Sequence, residues 1–295
     1  MKLSSKYGYT PNQEEISHAI EAIASGLEQV ASESIYKFCF GIMDQTTLNN
    51  EDTPAKIEAL TKKVNGLAKE YPDWPLPASI CVYPNFASVV AANRTEDFHV
   101  TTVAGCFPTS QSYLPVKLQE IEMAVRGGAD EIDIVLALNS FLAGDYETAG
   151  AEIKASRECI DKVAAELGRK VVLKVILETG LLVTPELIAD ASFLAMENGA
   201  DFIKTSTGKV KVNATPVAAY VMCECIKKFH EATGKKVGFK AAGGIASALD
   251  AVCYWSIVKS ILGEEWMNKE YFRFGVSSLA NKLLSAVEQK TVAYF

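Results

Sequence analysis

Eight short apolar segments recur along the chain, beginning at Lys37, Ser79, His99, Glu131, Val171, Asp201, Val237 and Tyr271. This repetition constrains the fold more than any other feature of the sequence. Successive starts lie 42, 20, 32, 40, 30, 36 and 34 residues apart, and the stretches between them carry apolar residues at helical spacing. Each unit therefore reads as one strand, one helix and two loops. Strands joined by helical crossovers run parallel and bury both faces. Eight such units predict a closed (β/α)8 TIM barrel in preference to an open doubly wound sheet. A chain of 295 residues is long enough for two domains, yet no Pro-, Gly- or Ser-rich linker interrupts the alternation. One barrel over residues 36–295 is expected, preceded by a helical extension over residues 1–35.

The helices carry start and stop signals. Thr53-Pro54, Thr184-Pro185 and Thr215-Pro216 each set an N-cap hydroxyl before a proline suited to the first helical position. Gly127, Gly168, Gly199, Gly234 and Gly263 stand where helices end in a left-handed residue. Ile57, Leu60, Val64 and Leu67 form one apolar stripe. An internal echo bears on function. Gly128-Ala129-Asp130 and Gly199-Ala200-Asp201 precede strands four and six, and the third residue after each Asp is charged: Asp133 and Lys204. A shared register would put both in one interior layer, facing each other across the barrel.

A charge inside a barrel is costly, yet Lys174, Lys204 and Lys240 each lie within a strand. Structural ion pairing accounts for any one of them. Three lysines converging with Asp133 point instead to amine chemistry, because a second cation nearby lowers an amine's pKa and frees its lone pair near neutral pH. Lys204 and Lys240, near the ends of strands six and seven, suit that pairing. His18, His99 and His230 are scattered without HxH or HExxH spacing, and neither a P-loop nor a GxGxxG turn is present. No metal and no organic cofactor is expected. Gly243-Gly244 after strand seven, Gly275-Val276-Ser277-Ser278 after strand eight and Gly208-Lys209 after strand six point to a phosphate pocket of backbone N–H groups.

Charge and cysteine usage remove other classes. The net charge of -7 argues against a nucleic-acid or anionic-membrane partner. Seven cysteines, an odd number with no CxxC pair, read as reduced thiols. With neither a signal-like start nor an apolar run of the roughly 18 residues that a span needs, a cytoplasmic enzyme is expected. No motif for subunit contact is present, so the sequence leaves a homo-oligomer open.

Five segments, Met43–Leu48 (MDQTTL), Ala129–Val135 (ADEIDIV), Leu173–Gly180 (LKVILETG), Ala200–Lys209 (ADFIKTSTGK) and Val237–Gly244 (VGFKAAGG), occur in an order that closely resembles the deoxyribose-phosphate aldolase family. The resemblance runs from about Phe38 to Ser278. It implies a class I aldolase on a (β/α)8 barrel that reversibly cleaves 2-deoxy-D-ribose 5-phosphate to acetaldehyde and D-glyceraldehyde 3-phosphate. It also implies Lys204 as the Schiff-base lysine, Lys240 as the neighbouring cation and Asp133 as the proton shuttle. Substrate contacts are implied for Asp44, Thr46 and Lys174, and phosphate contacts for Gly208, Lys209, Gly243, Gly244, Gly275, Ser277 and Ser278. Two departures stand out. Ala246 replaces a basic residue usual two positions after the Gly-Gly pair, and the tyrosine with which many members end is penultimate here, Tyr294 before Phe295.

Overall fold

Parallel pairing links each strand to the next and the eighth back to the first, closing the barrel expected from the repeat. The computed structural model describes residues 3–295. The strands are β1 (Met43–Thr46), β2 (Ser79–Val82), β3 (His99–Ala104), β4 (Glu131–Val135), β5 (Val172–Ile176), β6 (Phe202–Lys204), β7 (Gly238–Ala242) and β8 (Phe272–Val276). Ahead of them come α1 (Leu3–Lys6), α2 (Gln13–Ser25), α3 (Leu27–Val30) and α4 (Glu33–Gly41). The crossovers are α5 (Pro54–Glu70), α6 (Ala87–Asn93), α7 (Leu114–Arg126), α8 (Leu138–Leu142) with α9 (Tyr146–Glu166), and α10 (Thr179–Leu182) with α11 (Pro185–Glu197). They continue with α12 (Pro216–Thr233) and α13 (Ala248–Leu262), and α14 (Leu279–Glu288) follows the last strand.

The caps read from sequence form as expected. Thr53, Thr184 and Thr215 accept the amides of Lys56, Leu187 and Ala218 and start α5, α11 and α12. Of the terminal glycines, Gly168, Gly199, Gly234 and Gly263 have positive φ, but Gly127 does not: Gly128 takes φ +103 instead. A Cβ on Gly128 would also lie 2.7 Å from that of Ala91, so both the backbone and the space at this position call for glycine.

The first strand departs from its expected start. Lys37–Gly41 is the end of α4, and the strand begins only at Met43. An unbroken apolar run such as Phe38-Cys39-Phe40 looks the same in a buried helix as in a strand. Here Cys39 and Phe40 are fully buried, with Phe40 edge-on to Trp74 at 5.1 Å. The expected boundary at residues 35 and 36 thus falls inside a helix. The preceding segment docks on the barrel's outer helices: Ser4 N–H donates to Asp190 Oδ1 at 2.8 Å, and Tyr7 stacks on Phe193 at 4.4 Å.

Between strands and helices lies an apolar layer including Ile57, Val64, Leu67, Ile121, Ile153, Phe193 and Ile226. The barrel interior is different, because its inward positions carry Asp44, Glu131, Asp133, Lys174, Lys240 and Arg273, all at most 1% exposed. At the N-terminal end the guanidinium of Arg273 lies 5.9 Å from the centre of the Phe202 ring. Gly238 makes room for that ring, since a Cβ there would fall 2.4 Å from it.

Candidate active site

At the C-terminal end of the strands, a cavity of about 410 Å³ opens among the loops after β1, β6, β7 and β8. Lys204 and Lys209 line it, and among the described residues no carboxylate does. Register explains what lies beneath. Lys204 pairs beside Lys240 across β6 and β7, Lys240 beside Arg273 across β7 and β8, and Asp133 beside Lys174 across β4 and β5. Asp133 Oδ2 accepts from both Lys204 Nζ, at 2.7 Å, and Lys240 Nζ, at 2.8 Å, while its Oδ1 accepts from Lys174 Nζ at 2.9 Å. Asp44 accepts from Lys240 and, at 2.6 Å, from Arg273. Glu131 accepts from Arg273 at 2.8 Å, Thr101 at 2.8 Å, His99 at 2.6 Å and Lys174.

The ionisation pattern follows from this ladder. Three carboxylates (Asp44, Glu131, Asp133) face four strand cations (Lys174, Lys204, Lys240, Arg273), so one cation is surplus. The surplus one is Lys204: burial, joined by the Lys240 ammonium, holds it below the ordinary lysine value against the pull of Asp133. For Lys240, burial works the same way but loses to Asp133 and Asp44, and its pKa rises. Lys174 is raised too, by Asp133 and Glu131 acting against burial. Asp133 stays ionised because its three lysines overcome the burial that would protonate it.

The loops supply donors at the mouth. Gly208, Gly243 and Gly244 have φ of +79, +72 and +77, the left-handed region in which a chain can turn its amides inward. Gly243 N–H is already donated to Gly275 O at 3.2 Å. Among the described residues the amides of Gly208, Gly244, Ser277 and Ser278 meet no acceptor. Two helices begin at this rim and differ. The start of α13 is closed by its own capping box, with Asp250 accepting from Ala246 and Ser247. The start of α14, at Ser278, has no side-chain cap. An anion therefore meets free N–H groups and the positive helix end at α14. Lys209 Nζ now donates to Leu48 O at 2.5 Å across the mouth.

The structure brings together most, not all, of the residues singled out. Thr46, Lys204, Gly208, Lys209, Gly243, Gly244, Gly275, Ser277 and Ser278 line the cavity, as does Ala246. Asp133 lies directly below Lys204, one hydrogen bond away, and Lys240 reaches Lys204 through that same Asp133 oxygen. Lys174 and Asp44 are fully buried beneath them and absent from the cavity wall. Gly275 belongs to β8, where a Cβ would press to 3.1 Å from Lys240 Cε; its missing side chain lets that lysine pass. Tyr294 lies outside, donating to Lys63 O at 2.7 Å.

Three site residues escape the sequence reading. Glu131 and Arg273 are inward charges; the two-residue period that makes Asp133 inward also marks Glu131, and Arg273 is flanked by Phe272 and Phe274. Glu178, 2% exposed and at φ +54, accepts from Thr207 N–H at 3.1 Å and Thr207 Oγ1 at 2.5 Å. It fixes the turn that follows Lys204, a contact between distant segments that no local signal announces.

Fold and site together define a (β/α)8 barrel enzyme with a buried amine at its mouth. The sequence matches the DeoC/LacD family aldolase over residues 39–282, and the chain belongs to that family: it is an aldolase, a carbon–carbon lyase. It is 39% identical over 279 residues to the Caenorhabditis elegans protein named "Putative deoxyribose-phosphate aldolase", a match spanning 94% of this chain and 89% of that one. Among solved structures, the tetrameric deoxyribose phosphate aldolase of Aeropyrum pernix is 25% identical with a TM-score of 0.67, over 95% of this chain and 100% of that one. The aldolase QR15 is also 25% identical, with a TM-score of 0.66, over 85% and 96%.

Proposed function

We propose that this aldolase reversibly cleaves 2-deoxy-D-ribose 5-phosphate to acetaldehyde and D-glyceraldehyde 3-phosphate through a Schiff base on Lys204. One observation carries the reading: the only surplus cation of the buried ladder is the lysine that lines the cavity. Neutral Lys204 adds to C1 of the open-chain sugar, and the carbinolamine loses water to give an imine. A base takes the proton from the C3 hydroxyl, and the C2–C3 bond breaks. Its electron pair moves into the protonated imine to form an enamine, and C3 leaves as the aldehyde of glyceraldehyde 3-phosphate. Protonation at C2 and hydrolysis then release acetaldehyde and restore the amine.

Asp133, hydrogen bonded to Lys204, is the proton carrier, through water, and Lys240 assists it. Gly208, Lys209, Gly244, Ser277 and Ser278 hold the phosphate. Thr46 borders the sugar, while Asp44 and Lys174 act from below by fixing Lys240 and Asp133. The enzyme needs no cofactor in this scheme. It works in the cytoplasm, a reading supported by seven free cysteines; no helix among the described residues is long and apolar enough to cross a membrane. Self-association is supported by the tetrameric relative and by Tyr113, Val116 and Met123, which are 82%, 54% and 66% exposed beside and along α7.

Borohydride trapping with acetaldehyde, followed by peptide mapping, tests the scheme. The adduct is expected on Lys204, together with turnover of 2-deoxyribose 5-phosphate. An adduct on Lys240 or Lys174 would overturn the assignment.

A further inference from the structure

Below Asp133 the ladder continues to the closed end of the barrel, through residues that no step of the proposed reaction uses. Arg273 bridges two carboxylates: its NH1 donates to Asp44 at 2.6 Å and to Glu131 at 3.2 Å, and its NH2 donates to Glu131 at 2.8 Å. We propose that Arg273 and Glu131 are positioning residues for the amine at the mouth, because their pairing sets how much carboxylate charge is left for Lys204 to balance.

The connection is a chain of shared counter-ions. Asp44 divides its two oxygens between Arg273 and Lys240, and Lys240 in turn divides its ammonium between Asp44 and Asp133. Lys174 is likewise divided between Glu131 and Asp133. Without Arg273, Asp44 and Glu131 would draw more fully on Lys240 and Lys174. Asp133 would lose part of its compensation, and Lys204 would be held as its ammonium. Without Glu131, Arg273 and Lys174 would turn to Asp44 and Asp133, leaving Lys204 still less needed as a cation. In a water-poor interior such rearrangements are weakly screened and reach across the ladder.

The groups around Lys204 come from seven strands: Asp44 on β1, the buried Cys81 thiol on β2, Asp133 with Glu131 below it on β4, Lys174 on β5, Lys240 on β7, Arg273 on β8 and, at the floor, His99 on β3. Burial keeps the Cys81 thiol protonated, so it adds no charge. Arg273 is raised by Glu131 and Asp44 against burial, and Glu131 is held well below its ordinary value by Arg273 and Lys174, also against burial. Both therefore stay charged where Lys204 titrates.

The inference deepens the Schiff-base reading, but protonation of Lys204 can be measured without catalysis. Trace acetylation of the full chain with acetic anhydride between about pH 6 and 10, with peptide mapping, gives the midpoint at which Lys204 becomes reactive. Arg273→Gln should raise that midpoint by about one unit, a roughly tenfold loss of reactivity below it. Glu131→Gln should lower it, and the double variant should return it to near the wild-type value. Loosening of the fold would instead move all three variants the same way, toward an ordinary lysine. That result, or three unchanged midpoints, overturns the proposal. If Arg273→Gln does not fold, Glu131→Gln and the double variant decide: a lowered midpoint restored by the second change supports it, and a raised or unmoved one overturns it. Absence of an acetaldehyde adduct from wild-type Lys204 would refute the Schiff base while leaving this measurement intact.

Discussion

At the mouth of the barrel polar groups stand without partners, whereas at its floor every charge has one. Gly208, Gly244, Ser277 and Ser278 present free amides beside the uncapped start of α14. A few residues down, Arg273, Glu131 and Asp44 satisfy one another under the ring of Phe202. A buried ion-pair ladder adds little stability over a packed apolar core, since desolvation consumes most of the Coulombic gain. Breaking it is another matter, because each remaining charge would be buried alone. The mouth is thus free to vary in its partners, and the floor is not. Lys204 belongs to both regions: it touches the ladder through Asp133 and the cavity through its amine.

The sharpest break in this contrast is expected from Lys204→Ala, which should lower turnover by on the order of 10⁴-fold or more and abolish the borohydride adduct. Removing the surplus cation should leave the urea midpoint near wild type. Lys174→Met should do the converse damage, destabilising the fold by about 3–5 kcal/mol in urea titrations because Glu131 and Asp133 lose a buried partner. If Lys204→Ala unfolds the chain as readily as Lys174→Met, the two regions are not distinct.

Asp133→Asn should reduce turnover by ~10²- to 10⁴-fold while the imine still forms slowly. Wild-type solvent hydrogen exchange into acetaldehyde in this variant would show that protons travel another way. Ala246→Arg adds a cation at the rim, where one charge-assisted contact is worth roughly 1.5–3 kcal/mol. The preference for phosphorylated over unphosphorylated deoxyribose should rise about tenfold or more, mainly through KM. An unchanged kcat/KM ratio would mean that position 246 does not meet the phosphate.

The smallest effect belongs to His99. Its hydrogen bond to Glu131 raises its pKa, so its contribution to stability is present in full below the ordinary histidine value and is lost as pH rises through the higher folded value. The ladder carboxylates are depressed and lose their contribution only as pH falls below the ordinary carboxylate range. The raised Lys174 and Lys240 lose theirs only in strong alkali. Between about pH 6 and 8, His99 should lower stability as pH rises, by less than about 1 kcal/mol because its ring is partly solvated, whereas the depressed Lys204 tilts it the other way. His99→Gln should remove its downward part of the Tm slope over that interval; an unchanged slope would point to another group.

Much of this was legible in the chain because it depends on local chemistry or on period. Thr-Pro pairs cap helices wherever they occur, and eight repeats of strand and helix leave few ways to bury every face. The shared Gly-Ala-Asp register places Asp133 and Lys204 in mutual reach. Local signals failed where two states have the same local pattern, as at Phe38-Cys39-Phe40, where burial against other helices selected helix. They failed also at Gly127 and Gly128, two adjacent glycines of which either could take the left-handed turn.

What sequence alone determined is the alternating architecture, the inward lysines and the glycine-rich rim, since these follow from spacing and residue type. Tertiary structure decided which lysine is surplus, that Lys174 and Asp44 support the cavity without lining it, and that α14 rather than α13 presents its N-terminus to an anion. Those outcomes depend on counting charges and donors across strands far apart in sequence. Only barrel closure brings Arg273 to Asp44, and with it the balance that leaves Lys204 unmatched.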